Sequence, residues 1–189
     1  MNLFLWGALP YIAFTFLIVG TLVRFFYFER NWTTKSSEFL EKKQLRIANP
    51  LFHFGLLCVI GGHVVGVLVP KTWTAAIGIN DHMYHEGALY MGAVAGIIFI
   101  VGFLLLMKRR FTVPAMKVNT SGLDKWLYLF LTLAIFSGMA GTLLNASGFF
   151  DYRVSIGPWF RSLLSFMPDP SLMEGVPFMF KFHMLAWMV

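Results

Sequence analysis

Charged side chains are scarce in this 189-residue sequence, where Asp, Glu, Lys and Arg together fill 13% of positions. Soluble domains carry about 25%. With 58% hydrophobic residues, 17% aromatic residues and a mean hydropathy of +0.69, the composition excludes a water-exposed globule and points to lipid as the solvent. Acidic residues number nine and are nearly absent from the apolar runs, so a proton relay of membrane carboxylates has little to stand on. Cysteine occurs once, at Cys58. That excludes an internal disulfide and a cysteine metal site, and its place inside an apolar run makes it a packing residue. A basic n-region is missing from Met1–Pro10, so the first apolar stretch is expected to stay in the mature protein rather than to act as a cleaved signal. Internal repeats and low-complexity segments are also absent. The net charge of +6 does not indicate nucleic acid, because the basic residues sit in short loops between apolar runs, where membrane topology accounts for them.

What the chain has is apolar runs of membrane length. A helix needs about 20 residues to cross the hydrocarbon. Four runs meet that requirement, at about residues 3–28, 47–69, 84–107 and 123–145. A fifth begins near Val176 and is still apolar at Val189, short of a crossing, so the sequence reads as a C-terminally truncated fragment. The expected fold is all-α: an integral membrane five-helix bundle forming a single domain over residues 1–189, with the fifth helix (176–189) incomplete. Arg30, Lys35, Lys42, Lys43, Arg46, Lys108, Arg109, Arg110 and Lys117 lie on one side of the crossings, and Lys71, Arg153 and Arg161 on the other. Positive loops stay in the cytoplasm, which places the N-terminus outside. Ser36–Lys43 reads as a short helix with Glu38 and Lys42 paired one turn apart. In the outer loop, Trp159, Phe160, Leu163, Leu164 and Phe166 suggest a second short helix, lying either at the membrane interface or solvated.

Three histidines fall at membrane depth: His53 and His63 on the second run and His183 on the fifth. An ionisable group there is costly and is a functional hypothesis by default. Ten residues separate His53 from His63, about 15 Å of helix rise with an offset of about 80°. Both can face one bundle interior at two depths, which suits two stacked groups with one ligand each and does not suit one ion bound by both. His63 and His183 each lie about 10 Å from the outer face, so they share a level. The partner of His53 would fall roughly 18 residues past His183. Spacing alone leaves haem and other metals open, although b-type haem with two axial imidazoles is the commonest use of such an arrangement. The alternative, in which each histidine only bonds to a neighbouring helix, is weakened by the matched depth.

Other residues are consistent with such a site. Gly61, Gly62 and Gly66 would let a macrocycle approach the helix, and Gly62–Gly66 and Gly92–Gly96 are also small-residue pairs of the kind that pack membrane helices. Arg109 and Arg110 could meet the propionates of an inner haem, or simply anchor the third crossing as inside-positive charge. His82, Tyr84, His85 and Glu86 form a polar cluster at the outer end of the third crossing. A histidine there could accept the proton that quinol oxidation releases; a solvated interfacial segment is the other reading.

Several motifs resemble the gamma subunit family of respiratory nitrate reductases, which are membrane cytochromes b. They are Trp32, Ser36-Ser37, Asn49-Pro50-Leu51-Phe52-His53, Gly62-His63, Pro70, Leu104-Leu105-Leu106 before Lys108-Arg109-Arg110, Thr120-Ser121-Gly122-Leu123-Asp124, and Phe178-Met179-Phe180-Lys181-Phe182-His183. The resemblance implies two haems b in a multi-pass protein of the cytoplasmic membrane. His63 and His183 would ligate the distal haem and His53 the proximal one, whose second ligand lies beyond Val189. It further implies oxidation of menaquinol or ubiquinol at the outer face. Electrons would pass inward to an iron–sulfur (beta) subunit and a molybdenum (alpha) subunit, where nitrate is reduced. Some members carry a lysine where this chain has Asp81–Glu86, so His82, Tyr84 or His85 would take its role. The remaining alternatives are a cytochrome b serving a sulfite- or heterodisulfide-type reductase, and a haem-free transporter or assembly protein.

Overall fold

The computed structural model describes residues 1–28 and 40–188. Among these residues every regular element is a helix: α1 (Phe4–Tyr27), α2 (Leu45–Leu68), α3 (Lys71–Ala76), α4 (Asp81–Thr112), α5 (Pro114–Val118), α6 (Gly122–Leu144), α7 (Ile156–Leu164) and α8 (Phe178–Met188). The first turn of α1 (Phe4–Ala8) and the last of α2 (Val64–Leu68) are π-helical. Four helices, α1, α2, α4 and α6, are long and apolar enough to cross a membrane, and most of their surface is not covered by protein. Phe16, Leu57, Met91 and Leu127 project outward, as lipid-facing residues do.

Local chemistry sets the helix boundaries. Asn80 caps α4, its side chain accepting from the Met83 N–H at 2.9 Å. Ser121 and Asp124 bond reciprocally at the start of α6, a capping box. The free carbonyls at the π-helical end of α2 are met from outside, where Arg161 donates to the Val67 carbonyl at 2.7 Å.

Helix α2 crosses α4 with no side chain between the backbones. A Cβ on Gly55 would come within 2.5 Å of the Phe99 backbone nitrogen, and one on Gly102 would strike the backbone of Phe52. Around this crossing Phe52, Phe99, Phe103 and Ile135 pack as a cluster that includes α6. The glycines singled out from the sequence behave differently. A Cβ on Gly62 or Gly92 would meet nothing within 4 Å, so these two do not pack helices. Gly66 meets Tyr152, and Gly96 meets Met139. Cys58 is exposed rather than packed.

A second cluster closes the end of the bundle that carries α3 and α7. Trp6, Ile156, Trp159, Leu163, Met173 and Val176 are buried together, with Phe180, Met184 and Leu185 of α8 against them. The Trp159 indole N–H donates to the Trp6 carbonyl at 2.7 Å, and the Tyr11 hydroxyl donates to the Leu163 carbonyl at 2.9 Å. Trp159 and Leu163 of α7 therefore pack on protein, whereas Leu164 and, just past the helix, Phe166 stay exposed. At the other end, residues 40–43 are not helical, unlike the expected helix, and Leu40 and Lys43 lie in turns. The rest of that segment, with Glu38, Trp32 and Ser36-Ser37, lies outside the described residues.

Filling the α2–α4 crossing should force the helices apart. Gly55→Leu or Gly102→Leu is expected to destabilise the protein by about 1–3 kcal/mol through overpacking. Gly92→Ala should be neutral or gain up to about 1 kcal/mol in helix propensity. Thermal unfolding of the purified membrane protein measures both.

Candidate functional site

The rings of His63 and His183 face each other. Their centroids are 5.9 Å apart and their planes are inclined by 33°. His63 stands five residues before the end of α2 and His183 five residues into α8, so each lies about 7 Å from the same end of the bundle. His53, ten residues earlier on α2, is exposed and has no histidine facing it among the described residues.

The three imidazoles share one hydrogen-bonding arrangement. Nδ1 of His53 meets the Asn49 carbonyl at 2.9 Å, Nδ1 of His63 the Val59 carbonyl at 2.7 Å, and Nδ1 of His183 the Ala134 carbonyl at 3.0 Å. A carbonyl oxygen only accepts, so Nδ1 donates in each case and carries the hydrogen. The lone pair of the neutral ring is then on Nε2, the tautomer and orientation in which an outer partner prepares an imidazole to bind a metal. His53 and His63 bond back one turn along their own helix, whereas His183 reaches across to α6. There the Ser137 hydroxyl lies 3.1 Å from His183 Nδ1 and itself donates to the Ala134 carbonyl. Gly138 gives the ring its place, since a Cβ would stand 2.8 Å from His183 Cε1. Ser137 and Gly138 were missed from the sequence. The available signal was a hydroxyl and a glycine side by side in the middle of an apolar run.

The remaining predicted residues fall at the two ends. His82, Tyr84 and His85 occupy the first turn of α4, with His82 exposed. His85 Nε2 donates to the Ala146 carbonyl at 3.3 Å. The Tyr84 ring lies under the Arg153 guanidinium, 3.7 Å from its centre to Cζ. Tyr152 sits beside Tyr84, and burial pushes its phenol above the usual range, with Tyr84 adding to the effect. Lys71 bridges Asp151 at 2.7 Å and Asp81 at 2.9 Å, and these carboxylates raise its ammonium above the usual lysine value. At the opposite end, buried Arg109 donates from Nε to Glu41 at 2.8 Å and from Nη2 to the Glu41 carbonyl at 2.6 Å. The Glu41 carboxyl is held below its usual range, first by the Gln44 N–H and then by Arg109. Arg110 pairs with Asp124 at 2.9 Å. Both arginines thus already hold carboxylates within the fold.

Long apolar helices with imidazoles facing at membrane depth define a multi-pass, all-helical membrane protein. The sequence comparisons are more specific. A profile of the family described as nitrate reductase gamma subunit matches residues 2–189, and the chain belongs to that family. It is 47% identical over 182 residues to the nitrate reductase gamma chain of Bacillus subtilis, covering 96% of this chain and 82% of that one. It is 38% identical over 183 residues to the nitrate reductase-like protein NarX of Mycobacterium tuberculosis, covering 95% of this chain but 28% of that longer one. Against the respiratory nitrate reductase 1 gamma chain of Escherichia coli it is 27% identical over 190 residues, covering 100% of this chain and 84% of the relative. The chain is accordingly a membrane subunit of a nitrate reductase, an oxidoreductase complex.

Gly138→Ala should displace the His183 ring and lower stability by about 1–3 kcal/mol. Gly20→Ala on α1, where a Cβ meets nothing within 4 Å, is the matched control and should not destabilise. Comparing their thermal unfolding checks that α8 lies on α6 at this glycine.

Proposed function

We propose that this chain is the haem b subunit of its complex, oxidising quinol at the α3/α7 end and sending electrons to the opposite end. The observation that carries this reading is the facing pair of His63 and His183, each with Nδ1 tied to a carbonyl. His63 and His183 would hold a haem iron between their facing rings. The rings here are 5.9 Å apart. A bare ion would need further protein ligands, and no group of three or more suitable side chains lies together among the described residues. A haem would need only His63 and His183 from the protein and would supply one-electron redox chemistry there.

The residues fit such a group. His63 is exposed on α2, and a Cβ on neighbouring Gly61 or Gly62 would meet nothing within 4 Å, which leaves room beside the ring. His53 has the same Nδ1 arrangement and would hold a second haem, with its partner expected roughly 18 residues past His183, beyond position 189. When bound, the two haems supply one-electron carriage across the bilayer, from quinol towards an iron–sulfur subunit and a molybdenum subunit. Arg109 and Arg110 lie at the His53 end, where cationic charge would favour that haem's propionates beside Glu41 and Asp124.

Charge distribution supports the direction. Between the crossings, nine basic residues on the Arg109 side against three on the other favour an α3/α7 end that faces outward, because positive loops stay in the cytoplasm. Those three are all engaged inside the fold: Lys71 by Asp81 and Asp151, Arg153 by Thr74 and Tyr84, Arg161 by Val67. Quinol, as menaquinol or ubiquinol, would bind beside His63. Tyr84 is near, because a Cβ on Gly66, one turn past His63, would stand 3.4 Å from the Tyr84 hydroxyl. His85 donates from Nε2 to Ala146, which leaves its Nδ1 as a base for a quinol proton.

In the complete complex, His63→Ala and His183→Ala should each remove one of two b-type haems from the reduced-minus-oxidised spectrum and spare the other. Loss of both, or of neither, would contradict the pairing. Among His82→Gln, Tyr84→Phe and His85→Gln, the residue that takes the proton should show about a 100-fold loss of quinol oxidation with both haem bands retained. Full activity in all three would remove this end of α4 from the reaction.

A further inference from the structure

Arg153 is a buried cation without an anion. The residue is 4% exposed. Its Nη2 donates to the Thr74 hydroxyl at 2.7 Å, and the Thr74 hydroxyl passes its own hydrogen to the Lys71 carbonyl at 2.9 Å. The guanidinium lies over the Tyr84 ring. Nε and Nη1 are buried and have no hydrogen-bond partner, so three N–H groups lack an acceptor. No carboxylate pairs with Arg153 among the described residues, whereas Lys71, Arg109 and Arg110 each have one. Asp151 is the obvious candidate, two residues away. It is used otherwise: Oδ1 accepts the backbone N–H of Arg153 at 2.9 Å, and Oδ2 takes the Lys71 ammonium at 2.7 Å.

An uncompensated buried charge is strongly disfavoured, and a neutral acceptor would satisfy the N–H groups without neutralising it. The missing partner is therefore an anion. Its place follows from the neighbours. Gly66 lies three residues past His63, towards the α3/α7 end, in the π-helical last turn of α2. The Tyr84 hydroxyl is adjacent to Gly66, and Arg153 is stacked on Tyr84. Arg153 is thus linked through Tyr84 to the last turn of α2, the turn that follows His63.

We propose that Arg153, held in place by the Thr74 hydroxyl and the Tyr84 ring, binds a carboxylate of the group seated between His63 and His183. This rests on the haem reading above and deepens it. Arg153 is then a positioning residue that also tunes the group, because a fixed positive charge beside a carboxylate favours the electron-rich, reduced state.

The test is a potentiometric titration of both haems in the complete complex, with haem content measured alongside. Arg153→Met should shift the reduction equilibrium of the haem on His63 and His183 at least tenfold towards the oxidised form, a fall of about 59 mV for one electron. Arg153→Lys, which keeps the charge, should recover most of that shift, and the haem on His53 should not move. If Met prevents assembly, Arg153→Gln replaces it in the comparison with Lys. Equal shifts in the neutral and the Lys variants would reduce Arg153 to a packing role and overturn the proposal. An unchanged potential with weakened binding of a quinol analogue would also overturn it, assigning the donors to the substrate instead. Absence of any b-type haem in the unaltered complex would defeat the haem reading itself, an outcome separate from the others.

Discussion

Helix α8 can present His183 to His63 only because it lies against α6 at a position without a side chain. Lipid gives helices little hydrophobic reason to associate, so close contact depends on small residues and on polar bonds between them. Both meet at one point on α6. Gly138 leaves the space for the imidazole, and the Ala134 carbonyl with the Ser137 hydroxyl fixes its rotation. On the other side α2 is held to α4 by Gly55 and Gly102, which fixes the face that carries His63. The separation of the rings is thus set by glycines at two helix contacts rather than by the histidines themselves.

The two ends of the bundle handle polar groups differently. The α3/α7 end carries both the buried packing of Trp6 on Trp159 and a polar network of Lys71, Asp81, Asp151, Thr74 and Arg153. At the other end Arg109 and Arg110 are tied to Glu41 and Asp124 around the loop ends. The first end therefore has the tyrosines, a histidine with a free ring nitrogen and an uncompensated guanidinium close to the facing imidazoles. The second end has arginines already matched by acids. This asymmetry matches the division of labour proposed here: redox chemistry with protons at one end, structural closure and partner contact at the other.

Much of this was legible in the residues. The apolar runs marked four long helices within a few residues, because Asn80, Ser121 and Pro70 punctuate them locally. The equal depth of His63 and His183 was also legible, since rise along a helix is about 1.5 Å per residue whatever surrounds it. Other features were not. The small-residue pairs noted from spacing proved to face open space at Gly62 and Gly92, while the contact glycines were Gly55 and Gly102. Cys58 was read as packed and is exposed. The packing of Trp159 and Leu163 on Trp6 and Met173 was not visible either. Each of these depends on which way a helix is rotated, and a run that is apolar all round gives no signal of that.

The sequence by itself determined the solvent, the helices and the height of each histidine, because hydropathy, caps and rise per residue act along the chain. Only the tertiary structure decided which faces meet. It turned two rings towards each other, set each Nδ1 against a carbonyl, and left Arg153 buried while Asp151 went to Lys71. Those outcomes depend on distances between segments remote in the chain, and no local pattern of residues encodes them.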